Sequence, residues 1–395
     1  MKACLVLLAV LLLTTGATIG ATLRVPQDYP TIQAAIDAAS PGDEIVVAEG
    51  TYKEMLIVTK DIAIRGEGEV VITPSMIGET LVDVRAGEVV FKNLCFESGW
   101  SAGCAISLSG EARFTLEKCR IVQGAKAMPF ATGIQCVESS RLAMRHSQIE
   151  GAMQDGVRLM DEAKARVEDC LIASCKRYGL VAWDTAQATG SGNRMEGNGC
   201  DLAGNISPGF RIPTRQAREK EIHFPVPEYA SLQEAVDALL PGGVLYLGAG
   251  EHLAGITVEK PLVIRAEEGT SPTLTRPVWS GPLLSLISGA QLTLMGVTLK
   301  DGSYGVLAWG DAEAKVEACS FEGTPCGIYT GPASRVEISN CNFPENAYGV
   351  FAAGDSQVFL QSVRITGGTY GVAVSYTHLR AHETRHDLVC RLLLE

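Results

Sequence analysis

A step from a tyrosine or cysteine to a glycine returns every 22 residues, at Tyr304-Gly305, Cys326-Gly327, Tyr348-Gly349 and Tyr370-Gly371. Val297, Cys319, Cys341 and Val363 keep the same spacing. Within each unit, short runs such as Val336-x-Ile338 alternate in and out with period two and are separated by Gly, Pro or Asn, which is the pattern of strands and not of helices. A unit this short cannot bury its apolar face alone. Units must stack on one another, with strands about 4.8 Å apart, and the result is an all-β parallel solenoid.

The first half carries the repeat less evenly, with Cys95, Cys119, Ser147, Cys170 and Asn193 aligned at spacings of 24, 28, 23 and 23. A larger duplication overlies it. The run Thr31–Asp37 (Thr-Ile-Gln-Ala-Ala-Ile-Asp) returns 200 residues later as Ser231–Asp237 (Ser-Leu-Gln-Glu-Ala-Val-Asp), and Lys60 and Arg65 return as Lys260 and Arg265. Each copy reads as a short amphipathic helix that caps the open end of a solenoid. Two caps predict two tandem solenoids, over 22–212 and 224–373, joined by a charged linker over 213–223.

Residues 1–21, with Lys2 ahead of the apolar run Ala3–Leu13 and small residues after it, read as a secretory signal peptide and predict an extracellular or periplasmic protein. At the other end, 374–395 abandon the repeat and read as translated sequencing adapter, which sets aside His378, His382 and His386 as a metal site. The formal charge of −12 argues against nucleic acid or an anionic membrane surface as partner, because both are bound through Lys and Arg. No other segment is long and apolar enough to span a membrane. Ten cysteines lie between the two ends without a Cys-x-x-Cys, and several fall at inward positions, which predicts a thiol ladder in the core or, as the alternative, disulfides between adjacent rungs.

The stretch Val25–Glu54 resembles the opening of right-handed parallel β-helix proteins of the pectin-lyase-like superfamily. The resemblance implies a right-handed parallel β-helix for both halves, and carbohydrate as the usual ligand. Gly50–Glu54 (Gly-Thr-Tyr-Lys-Glu) is similar to the Gly-x-Tyr-x-Glu element of pectin methylesterases. Counterparts of the segments that supply that family's catalytic Asp pair and Arg are missing, as is the acidic and His set of polygalacturonases.

One constellation stands out when the rungs are aligned. Glu138, Asp161 and Asp184 follow the Gly-led strands of consecutive rungs at spacings of 23 and 23, so they stack as a carboxylate ladder. Two full charges at rung spacing repel by about 3–4 kcal/mol at an effective dielectric near 20. Such a ladder would hold Ca²⁺, with Glu138, Asp161 and Asp184 as metal ligands, or would simply splay into water as turn residues. Alternation points Gln135, Arg158 and Trp183 outward beside it. In the catalytic reading Arg158 and Asp161 act on the substrate, while Gln135 and Trp183 bind it.

In the second half Leu307, Tyr329 and Phe351 form an outward stripe with Trp309 beside it, suited to self-association or to packing between the solenoids. Two functions follow. The first is a secreted solenoid that binds polysaccharide or another surface ligand without a catalytic motif. The second is a polysaccharide-active enzyme, a Ca²⁺-assisted uronate lyase or epimerase.

Overall fold

The computed structural model describes residues 20–75, 80–99, 103–124, 127–277 and 281–375. The apolar run Ala3–Leu13 and most of the adapter-like tail lie outside them. The final strand, Tyr370–Ser375, continues through Val374 and Ser375, two residues into the stretch read from sequence as adapter.

The chain is a right-handed parallel β-helix. Short strands pair in parallel with the rung before and the rung after, building sheets of 13 and seven strands in the first half and of seven, six and six in the second. The 22-residue period sets the register directly: Tyr304, Cys326, Tyr348 and Tyr370 are paired neighbours along one sheet. Strands alternate inward apolar and outward polar residues, and the inward ones form two hydrophobic interiors, one from Leu23 to Phe210 and one from Ile222 to Val350, with Ile287 packed into the first. No helix among the described residues is long and apolar enough to cross a membrane.

The two repeated segments form the short helices α1 (Ile32–Ala38) and α2 (Leu232–Ala238), each N-capped by a hydroxyl, Thr31 or Ser231. Ile32, Ala35 and Ile36 of α1 are buried in the first interior. At the far end Lys60 donates to the carbonyls of Asp37 and Ala39, and Lys260 does the same for Asp237 and Leu239, so a cation satisfies the last carbonyls of each helix. The Gly50–Glu54 element also serves α1: the Glu54 carboxylate accepts the N–H groups of Ile32 and Gln33 at 3.0 and 2.9 Å. Ala254 stands at the equivalent place in the second half, and α2 has no such carboxylate. A motif shared with an enzyme family is here a helix cap.

At one sharp turn of each rung, a residue in the left-handed region (Lys118, His146, Asp169, Ala318, Asn340) precedes an inward side chain that accepts the N–H left over from the rung before. Cys119 N–H goes to Ser147 Oγ at 3.1 Å, Cys170 N–H to Asn193 Oδ1 at 3.0 Å, and Cys319 N–H to Cys341 Sγ at 3.4 Å. One alignment is corrected. Cys95 pairs with Arg120 and is half-exposed, so Leu94 precedes Cys119 in the inward column, a rung of 25 residues (119 − 94) and not 24. All ten described cysteines are free, and burial pushes the Cys119 thiol up to about 12, so it packs as a neutral apolar group.

Candidate functional site: a graded seam between two faces

Nine strands frame the site: β1 (Thr132–Cys136), β2 (Asp155–Leu159), β3 (Tyr178–Ala182) and β4 (Cys200–Gly204) from the first half, and β5 (Ile256–Val258), β6 (Pro282–Leu286), β7 (Tyr304–Ala308), β8 (Cys326–Thr330) and β9 (Tyr348–Ala353) from the second. The outward column of the first face runs Gln135, Arg158, Val181, Ala203. That of the second runs Thr257, Ser285, Leu307, Tyr329, Phe351.

The backbones come closest where β4 lies against β5 and β6, and there the side chains are small. Ala203, Cys200, Thr257 and Ser285 are fully buried, and Thr257 Oγ1 accepts the Leu202 N–H at 3.2 Å. Nearby, a Cβ on Gly255 would stand 2.4 Å from the Gly199 carbonyl oxygen, so only glycine lets the two halves approach this far. One rung on, the side chains are large: Tyr178, Val181, Leu307 and Trp309 are buried in one cluster, with Trp183, Tyr304 and Tyr329 packed on it. Trp183 meets Trp309 edge to face at 5.3 Å. Both columns therefore grade from small to large along the seam, which is how two diverging faces stay in contact. Beyond this rung, Tyr329 and Phe351 stack at 5.2 Å and are only half-buried, as are Tyr348 and Gln135. Burial, with Tyr304 and the Asp184 charge nearby, pushes the Tyr329 hydroxyl up to about 12, so it stays a donor.

The residues expected from sequence fall on or beside this seam, in altered roles. Arg158 is held by Asp155, Nε to Oδ2 at 2.6 Å, and by Gln154 Oε1 at 2.6 Å. Arg177 grips the same carboxylate at 2.8 and 2.6 Å. Asp155 is wholly buried between two guanidinium groups, so the first duty of Arg158 is to neutralise it; no described contact joins Arg158 to Asp161. The guanidinium that the catalytic reading assigns to the substrate is thus already engaged with Asp155 and Gln154.

The carboxylate ladder is present and its bonds are to the backbone. Glu138, Asp161 and Asp184 all adopt the left-handed region (φ 58, 57 and 55°), and each accepts an N–H from the turn one rung earlier: Gly110 at 2.5 Å, Glu138 at 2.9 Å and Asp161 at 3.3 Å. They stack without converging. Among the described residues no three His, Cys, Asp or Glu side chains form a group that could hold a metal ion, so the Ca²⁺ site expected at Glu138, Asp161 and Asp184 gains no support from this arrangement. Asp161→Ala is expected to cost about 1–2 kcal/mol, by losing the bond to the Glu138 N–H and placing a Cβ residue without a polar tip at positive φ. Asp161→Asn keeps both features, and urea unfolding should put it within about 0.5 kcal/mol of the parent.

Trp183 was expected to offer its face to a sugar. Its ring abuts Trp309 and Tyr178, because the second half lies against the end of β3, just before Trp183. Leu307 and Trp309 likewise pack between the halves, while Tyr329 and Phe351 continue the stripe past the contact. Sequence reading missed Asp155, Arg177 and the packing of Tyr178 and Tyr304 at the seam. The available signal was that Thr132, Asp155, Tyr178 and Cys200 share one register position, where a single charge among buried neighbours needs a partner.

A family described as a right handed beta helix region matches residues 62–210 and 284–386, or 149 and 103 of 395 residues. No curated protein matches the chain. Among solved structures, it is similar to a Yersinia enterocolitica family 28 exopolygalacturonase, at 12% identity and a TM-score of 0.41, over 90% of this chain and 78% of that one. It is also similar to the N-terminal fragment of bacteriophage Phi29 gene product 12, at 12% identity and 0.38, over 86% and 68%. A pectin methylesterase from Aspergillus niger follows, at 14% and 0.31, over 90% and 88%. With its strands stacked in parallel rung on rung and more than half its length matched, the chain belongs to the right-handed parallel β-helix family.

Proposed function

We propose that this is a secreted binding protein of two tandem solenoids, 22–212 and 224–373 about a linker at 213–223, that holds a polysaccharide where the seam opens. The observation that carries the reading is the change of character just past Trp309. One column continues as half-exposed aromatic rings, Tyr329 and Phe351 flanked by Tyr348, while the other continues as amide and guanidinium, Gln135 and Arg158. A sugar chain has apolar C–H patches and hydroxyl rims, and a site of apolar walls with a few placed polar groups is what such a ligand needs. Tyr329 and Phe351 stack on each other, so they present edges and the Tyr329 hydroxyl outward. Arg158 spends Nε and Nη2 on Asp155 and Gln154, which leaves the Nη1 donors for ligand oxygens. Rungs about 4.8 Å apart would let a chain run along the axis.

The lyase or epimerase reading has less support, since its arginine is engaged with Asp155 and its carboxylates with backbone N–H groups. The full chain should be retarded in gels cast with acidic or neutral polysaccharides, with no oligosaccharide released. Tyr329→Ala and Arg158→Ala should each weaken retardation about tenfold, ~1.4 kcal/mol. Released oligosaccharides would replace binding with catalysis, and a chain that none of the polysaccharides retards would discard glycan as the ligand.

A further inference from the structure

The joint that sets the two halves side by side is ionic. Arg211, at the end of the first half and 4% exposed, reaches into the start of the second. Its Nη1 and Nη2 donate to Asp237 of α2 at 2.9 and 2.6 Å, and the same carboxylate accepts from Thr214 N–H and Oγ1, both at 2.8 Å, and from Gln233 Nε2 at 2.9 Å. Asp237 is thereby saturated. Glu259, which follows β5, is not. Its Oε2 lies 2.8 Å from Arg211 Nε but out of line for a hydrogen bond, and its Oε1 is buried with no partner.

Every charged group facing Glu259 can be named. Arg211 comes from the first half and Lys260 from the next position along; Asp237 comes from α2; Asp201, 9% exposed and bonded to Asn198, comes from β4. Two cations face three carboxylates in a largely buried space. The same helix in the first half has no such crowd: Asp37 there is exposed, and its carboxylate accepts from Gln33.

We propose that this joint is a proton-operated latch, in which a proton taken up at Glu259 removes the excess charge and tightens the hold of the second solenoid on the first. Glu259 is the group that gives way because its oxygen is unpartnered, whereas Asp237 is fully bonded. The directions of titration agree. Burial raises Glu259 and Asp201 above the ordinary carboxylate range despite Arg211. Burial would raise Asp237 too, but its bonds to Arg211 outweigh that and hold it low. A carboxylate raised on folding binds more protons folded than unfolded, so stability increases as pH falls through its folded value toward its unfolded one. A depressed one does the reverse, and its contribution disappears as pH falls through that lower value. The latch is thus tightest in mild acid.

The test uses the full chain without ligand, so it stands or falls apart from glycan binding. Its melting temperature is followed from about pH 8 to about pH 3 beside that of Glu259→Gln, which mimics the protonated form. The parent should gain melting temperature as pH falls from about 8 into mild acid, then lose stability below the ordinary carboxylate range of about 4. Glu259→Gln should melt higher than the parent near pH 8 and lose the Glu259 part of the slope, keeping only the smaller part that Asp201 supplies. A Gln variant that melts lower than the parent near pH 8, or that keeps the parent's slope, would overturn the latch. Infrared difference spectra on the unaltered chain supply a second measure that does not depend on the variant folding. A protonated carboxyl band should grow in while the fold is intact, at higher pH than the exposed carboxylates titrate, and its absence would equally overturn the proposal.

Discussion

Trp309→Ala is expected to cost about 3–5 kcal/mol and to split the unfolding of the chain into two transitions. The indole is 4% exposed and is held on three sides. It stacks on Tyr329 at 5.6 Å with 1° between planes, meets Trp183 at 5.3 Å, and lies so close to Gly331 that a Cβ there would sit 2.5 Å from the ring. Nothing small can collapse into the space it leaves, because the surrounding backbone is fixed by strand pairing on both sides. The void therefore persists, and the exposed Val181 and Leu307 add their own surface to the loss. Tyr370 offers the internal control: it belongs to the same sheet but is 52% exposed, so Tyr370→Ala should cost under about 1 kcal/mol. Guanidinium unfolding followed by circular dichroism separates the two. A Trp309→Ala cost no larger than that of Tyr370→Ala would mean that the halves are not packed together in solution. If glycan binds where the seam opens, the same substitution should also abolish retardation, since the walls would lose their spacing.

Fold class was legible because it is written in a period. A 22-residue repeat with period-two strands leaves one way to bury an apolar face, and the inward residues follow from it. Where the period loosens, register fails by one residue: Cys95 looked inward because it is a cysteine near the right place, and a longer turn puts Leu94 there instead. The site was legible only in direction. Alternation correctly sends Gln135, Arg158, Trp183 and Leu307 outward. It cannot say what lies outside, and for Trp183 and Leu307 the answer is the other half of the molecule. The carboxylate ladder shows the same limit. Equal spacing predicts that Glu138, Asp161 and Asp184 stack, but whether stacked acids gather a cation or each take a backbone N–H depends on the left-handed turn that aims them. Arg211 was harder still. It sits at the edge of a stretch that reads as a solvated linker, and only the arrival of α2 from residues 232–238 makes it a buried cation.

That burial makes Arg211→Met the other substitution of large effect, with an expected cost of about 3–5 kcal/mol. Removing the guanidinium strands Asp237, Glu259 and Asp201 with only Lys260 to oppose them, and buried charge without a partner is far more costly than a weakened pair. The deficit should be partly recovered by Arg211→Met combined with Asp237→Leu, which removes both halves of the bidentate pair and leaves apolar volume in its place. A double variant as unstable as the single one would show that packing and not charge is what Arg211 supplies. The pH dependence has a definite sign. Asp237 is held below its ordinary value by Arg211, so the pair contributes fully above the unfolded aspartate value of about 3.9 and fades as pH falls through the lower folded value. Urea unfolding at neutral pH and again near pH 3 should therefore show the penalty of Arg211→Met shrinking in acid, as the stranded carboxylates take up protons and cease to need the cation. A penalty that is unchanged in acid would place the role of Arg211 in shape alone.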